Sequence, residues 1–273
     1  MQNIYKNFFL GLFLFFSIPL FSMYGYKDKA TENLFKGMDG FKTYTDLKLM
    51  EQALEDGADI DFEHFFNATP LVYAASKNMF AALRFLIKAG ASVDSTTQSG
   101  ETSLHAAAKS GYVEIVQELI KSGACVNSID KTGQTPLHFA AAHHRLSVVQ
   151  ELLKLGAEVD AACDSGDTAL IMICNWGMYK NEKGRNKKTI VEELLRSGAS
   201  VNIREKHAGF NALALAVYEV EEEYSTDIVE ILLNVPGVEI DCETHFGTPL
   251  DMAREKSNQK LIGLLEAALK KQK

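Results

Sequence analysis

From about residue 43 onward, short apolar runs recur at helical spacing and are separated by polar, turn-forming stretches. In "SVVQELLKLG" the residues Val148, Val149, Leu152 and Leu153 fall on one side of a 3.6-residue period, which predicts an amphipathic helix. Gly156 follows it and supplies the left-handed cap that commonly ends a helix. Upstream, "TPLHFAA" predicts a shorter helix. The Thr135 hydroxyl is placed to cap free backbone N–H groups, Pro136 is tolerated at the first helical position, and Leu137, Ala140 and Ala141 form a narrow apolar stripe. The turn-rich "AEVDAACDSGD" then leads to the next such pair.

The pair repeats in strict register. "TPLVYAA" at Thr69, "TSLHAAA" at Thr102, "TPLHFAA" at Thr135 and "TALIMIC" at Thr168 are spaced 33, 33 and 33 residues apart. A second landmark follows each threonine: "KAGASVD" at Gly90, "KSGACVN" at Gly123, "KLGAEVD" at Gly156 and "RSGASVN" at Gly198. The first three threonine-to-glycine gaps are all 21. On these motifs the chain resembles the ankyrin repeat family, whose signature is T-P-L-H-x-A at a 33-residue period. The resemblance covers about residues 43 to 270 and implies an all-α solenoid of helix-turn-helix units joined by β-turn or hairpin loops. One such unit cannot bury its own apolar face, whereas a stack makes a continuous core.

The register divides the chain as follows. Residues 43–66 supply an N-terminal half or capping repeat, 67–241 five repeats, and 242–273 a C-terminal capping repeat ending in the polar "KLIGLLEAALKKQK". Two units exceed 33 residues, with insertions near 178–188 and 218–227. The first insertion is basic (Lys180, Lys183, Arg185, Lys187, Lys188) and the second acidic (Glu219, Glu221, Glu222, Glu223, Asp227), so they are either two solvated loops or a pair that orders each other across one edge.

The resemblance assigns His105 and His138 a structural role, hydrogen-bonding backbone near the turns. The same slot holds Val72, Ile171, Ala214 and Asp251 elsewhere, which excludes an invariant catalytic group. It also implies a concave binding surface of turn tips and first helices. Its exposed slots carry Phe65 and Phe66, then Gln98, Glu101 and Lys109, then Lys131, Gln134 and His143, then Asp164 and Trp176, then His207, Phe210 and Tyr218. Trp176 either anchors a partner or packs beneath the inserted loop. Phe65 and Phe66 either join the surface or cover the end of the core. His144 occupies the slot of Gly111 and Gly177. Adjacent helical side chains point about 100° apart, so His143 and His144 form a poor metal pair, and no metal site is expected.

Composition narrows the function. With 28 basic and 36 acidic residues the net charge is −8, which argues against nucleic acid as partner. Before this soluble part, Lys6 precedes a 14-residue apolar stretch from Phe8 to Phe21. As a helix that stretch reaches about 21 Å, short of a bilayer core, and it reads as a secretion signal over residues 1–22 with residues 23–42 as a linker. The expectation is a periplasmic or secreted protein; the alternative is a membrane anchor if the segment stays uncleaved. The cysteines Cys125, Cys163, Cys174 and Cys242 form no C-x-x-C motif, and their places in the register favour free, mostly buried thiols over the two disulfides an exported chain could hold. Nucleotide-binding and hydrolase motifs are absent, and neither a cofactor nor a small-molecule substrate is indicated. The function expected is a non-enzymatic scaffold that binds an unknown protein. The alternatives are an accessory protein that protects or docks an enzyme in the same compartment, or a metal-dependent enzyme built around His143, His144 and the insertion.

Overall fold

Threonine-capped short helices, each followed by an amphipathic helix, stack in the expected register. The computed structural model describes residues 28–39, 44–62, 68–175, 186–219 and 224–272. Among them are fourteen helices in seven consecutive pairs: α1 (Lys29–Asp39) and α2 (Tyr44–Glu55); α3 (Pro70–Ser76) and α4 (Phe80–Lys88); α5 (Ser103–Ser110) and α6 (Val113–Lys121); α7 (Pro136–Ala142) and α8 (Leu146–Lys154); α9 (Ala169–Cys174) and α10 (Lys187–Arg196); α11 (Ala212–Tyr218) and α12 (Tyr224–Leu233); α13 (Pro249–Glu255) and α14 (Gln259–Gln272). The described residues contain two isolated β-bridges, Thr96 to Thr102 and Thr244 to Gly247, and no named strand. No helix among them is long and apolar enough to cross a membrane. The expected signal at 1–22 lies outside the described residues.

Capping explains why five of the seven first helices begin where they do. The side chains of Thr69, Thr102, Thr168, Asn211 and Thr248 accept from the backbone N–H three residues on. The alanine pairs Ala74–Ala75, Ala107–Ala108 and Ala140–Ala141 are fully buried, which lets α3, α5 and α7 pack side by side. On the second helices Ile115, Val116 and Leu119, then Val148, Val149 and Leu152, then Ile190, Val191 and Leu194 are fully buried, whereas Leu153 is half-buried. One apolar core runs from Leu34 to Leu265 and includes Leu104, Leu137 and Leu170, and a small separate cluster joins Ala142, Cys163 and Met172.

Two expectations need correction. Part of the expected linker 23–42 is helix α1, which buries Leu34, Phe35 and Met38 and packs on α2. Gly37 is the close-contact point: a Cβ there would lie 2.6 Å from Met50 Cγ. The N-terminal unit therefore has both its helices. Lys187, expected in an exposed basic loop, is the first residue of α10 and only 3% exposed.

Candidate interaction surface

The loops between units are hairpin turns closed by their own backbone. Thr97 N–H donates to Glu101 O at 2.9 Å, Asp130 N–H to Gln134 O at 3.0 Å and Cys163 N–H to Asp167 O at 3.0 Å. Carboxylates brace the 130–134 turn and the turn that Glu205 N–H closes on Phe210 O. Asp130 Oδ1 accepts from the N–H groups of Thr132 and Gln134 at 2.8 and 2.9 Å. Glu205 accepts from His207, Ala208 and Phe210. Burial pushes the Glu205 carboxyl up, but these backbone donors outweigh it and hold the group below its ordinary range.

Each turn tip is bonded to the next. Lys131 N–H donates to Ser99 O (2.9 Å), Asp164 N–H to Thr132 O (2.9 Å), Lys206 N–H to Ser165 O (2.8 Å) and His245 N–H to Ala208 O (2.9 Å). The close approach requires glycine at the tips. A Cβ on Gly100 (φ 84°) would meet Lys131 N at 2.7 Å, and one on Gly133 (φ 75°) would meet Asp164 Oδ1 at 2.9 Å. A second ladder joins the units at the far end of the second helices. There the last residue of each "G-A-x-V-D/N" accepts from a backbone N–H one unit on: Asp94 from Cys125 (3.2 Å), Asn127 from Glu158 (2.9 Å), Asp160 from Ser200 (2.8 Å) and Asn202 from Glu239 (2.9 Å).

His105 and His138 link capping to stacking. His105 Nδ1 accepts the Thr102 N–H at 3.1 Å, and its Nε2 donates to Gln134 O at 3.0 Å in the next unit. His138 repeats this between the Thr135 N–H (2.9 Å) and Asp167 O (3.0 Å). Burial pushes both imidazoles below their ordinary range, which keeps them neutral in this arrangement.

Between the turn tips and the first helices lies a groove of about 870 Å³, floored by Val72, Tyr73 and Ala106 and edged by Lys77, Glu101, Lys109, His143 and Arg145. Farther along the stack Phe210, Tyr218 and Phe246 form an aromatic cluster. Its ring centroids are 5.1 Å apart for Phe210 and Tyr218, 5.0 Å for Tyr218 and Phe246, and 5.7 Å for the stacked Phe210 and Phe246 pair.

Of the residues expected on this surface, Gln98, Lys109, Lys131, Asp164 and His207 are exposed, and Glu101, Gln134, His143 and Tyr218 are half-buried. Glu101, Lys109 and His143 share the groove. Phe210 corrects the expectation: it is 6% exposed and lies beneath Phe246 rather than facing solvent. Phe65, Phe66 and Trp176 lie outside the described residues. The register does not single out Tyr73, Phe139, Arg145, Phe246 or Lys256, although the "HFG" of Phe246 occupies the same turn-tip slot as "QSG" and "KTG".

The two neighbouring histidines differ in backbone. His143 caps α7 at φ −95°, and His144 is left-handed at φ 57°, the conformation Gly111 takes one unit earlier. Among the described residues no group of three or more His, Cys, Asp or Glu is placed to hold a metal ion. Of the two charged insertions, Lys188 and Asp227 form one ion pair at 3.7 Å with both side chains about half exposed; residues 178–185 and 220–223 lie outside the described residues. The four thiols are unbonded to one another, Cys125 exposed and Cys163, Cys174 and Cys242 buried.

Residues 42–130 match the family model described as ankyrin repeats (3 copies), and residues 123–173 the one described as ankyrin repeats (many copies). No curated protein matches the chain.

Proposed function

We propose that this chain, which belongs to the ankyrin repeat family, is an exported, non-catalytic protein whose concave groove docks a segment of another protein. Ankyrin repeats serve generally as protein-interaction modules. The observation that carries this reading is the aromatic cluster farther along the same series of turn tips and first helices as the groove: Phe246 stacks on the buried Phe210 yet keeps 51% of its surface exposed. A large ring that is rigidly seated and still open to solvent is the kind of residue that dominates binding energy at interfaces. What supports export is the sequence alone: Lys6 followed by the apolar stretch from Phe8 to Phe21.

The test pairs two measurements on the protein from its own cells. Affinity capture with the unaltered chain is compared with capture by Phe246→Ala and Tyr218→Ala. The groove reading expects a specific partner to be lost from the variants while their melting curves match the parent; a partner retained by both contradicts it. N-terminal sequencing of the same sample checks export separately. A new terminus near residue 23 is expected, and a retained Met1 on protein confined to the cytoplasm contradicts it.

A further inference from the structure

We infer that the groove accepts an acidic, extended segment of its protein partner, with carboxylates meeting Lys77, Lys109 and Arg145 and apolar side chains meeting the floor of Val72, Tyr73 and Ala106. This rests on the groove reading above and adds the chemistry of the occupant.

The chain is acidic overall, with 36 Asp and Glu against 28 Lys and Arg, yet Lys77, Lys109, Arg145 and His143 edge the groove against one carboxylate, Glu101. The two lysines are exposed, and each stands near a ring. Lys77 Nζ sits 6.0 Å from the Tyr73 ring centroid and Lys109 Nζ 5.9 Å from that of Phe139. Lys256 repeats the device at the aromatic cluster, 5.3 Å from the Tyr218 centroid. An ammonium near a ring face loses some freedom, so less ordering remains to be done when a carboxylate arrives. Neither Lys77 nor Lys109 forms an ion pair among the described residues.

Arg145 is fixed from the other side. Its Nε donates to Lys109 O at 2.9 Å, and its stem fills the space where a Cβ on Gly111 would meet Cδ at 2.8 Å. A guanidinium is the cation best shaped for a carboxylate. Lys77, Lys109 and Arg145 belong to three consecutive units, and Arg145 reaches back to the Lys109 backbone. The charged ends therefore lie over two adjacent first helices, about 8–10 Å apart, the reach of about three extended residues.

The test is selection of a random library of peptides about twelve residues long, displayed on phage, against the whole chain. Recovered peptides are expected to be rich in Asp and Glu, and synthetic copies to bind the double variant Lys77→Glu, Lys109→Glu at least about tenfold more weakly. Raising salt should weaken them too, as it does for contacts between partly exposed charges. Lys77→Gln with Lys109→Gln gives the same comparison if charge reversal disturbs folding, which the melting curve reports. Neutral or basic peptides that lose binding with Tyr73→Ala, in the groove floor, or with Tyr218→Ala or Phe246→Ala farther along, overturn the acidic occupant and leave the groove reading standing. Peptides indifferent to every groove substitution overturn both. A single-stranded oligonucleotide that binds more tightly than the peptides, and is lost on the same charge reversal, also overturns it.

Discussion

His105 reaches across a repeat boundary to Gln134: its Nε2 donates to that carbonyl at 3.0 Å while its Nδ1 receives the Thr102 N–H. Both bonds require one neutral tautomer, because a carbonyl only accepts and a backbone N–H only donates. The ring therefore fastens the start of α5 to the next turn, and His138 fastens α7 in the same way.

This tautomer gives a pH dependence with a definite sign. Burial holds both folded-state values below the ordinary 6.5, so the unfolded chain takes up protons first. The stabilisation is complete above about 6.5 and is lost as pH falls through the lower folded-state values. Denaturant melts at about pH 7.5 and about pH 5 should show a larger loss for the parent than for His105→Gln with His138→Gln. Equal losses contradict the assignment.

The glycines fall into two kinds. Gly123 (φ 99°) has open space where a Cβ would stand, whereas Gly100 (φ 84°) faces the Lys131 backbone. Gly123→Ala should cost about 1–2 kcal/mol from backbone strain alone. Gly100→Ala should cost at least about 1 kcal/mol more, because the neighbouring turn has to move. Urea titration of the two variants separates the cases, and equal midpoints would show that the tips are not in contact.

Lys187 is a buried cation at the start of α10, where the helix dipole is also unfavourable to it. Burial lowers its pKa to about 8, with Cys174 and Glu219 pulling the other way. Between about 8 and the ordinary 10.5 the unfolded chain holds a proton the folded one has released, so stability rises with pH across that window. Lys187→Met should stabilise by about 1–3 kcal/mol near neutral pH and by progressively less toward pH 10. A neutral or destabilising effect at pH 7 would mean that the groups around Lys187 repay its burial.

The thiols offer a simple check on packing. Cys125 is exposed, while the Cys174 thiol is pushed up to about 11 by burial against the opposing pull of Lys187. A thiol reagent at neutral pH should modify one cysteine quickly and the other three only with denaturant, since thiolate character and access set the rate. Two or more fast equivalents would show that the core opens around Cys163, Cys174 or Cys242.

The stack was largely legible because two kinds of signal coincide in the units that begin at Thr69, Thr102 and Thr135: a threonine before an alanine-rich stripe, and glycine 21 residues after it. Helix α1 carries neither. Asp28 rather than threonine caps it, accepting from Thr31 N–H at 2.7 Å, and its eleven residues exceed the usual first helix, so the period is lost. Lys187 misleads for a related reason. Five basic residues in sequence look like a solvated loop, and only the fold shows that one of them begins a helix packed on α9. The binding surface was partly legible: Lys109 and Tyr218 could be placed from register, but contacts between units, such as Phe246 on Phe210 or Lys109 over Phe139, depend on how neighbours lean together.

The most direct test of the stack is amide exchange at the turn tips, read residue by residue. The N–H groups of Lys131, Asp164, Lys206 and His245 have partners in the preceding unit. Coupled units predict exchange slowed by at least about 100-fold relative to an unstructured chain at all four. Exchange at unprotected rates there, with the amides inside α5 and α7 still protected, would mean the helix pairs form without the tip-to-tip ladder that shapes the groove.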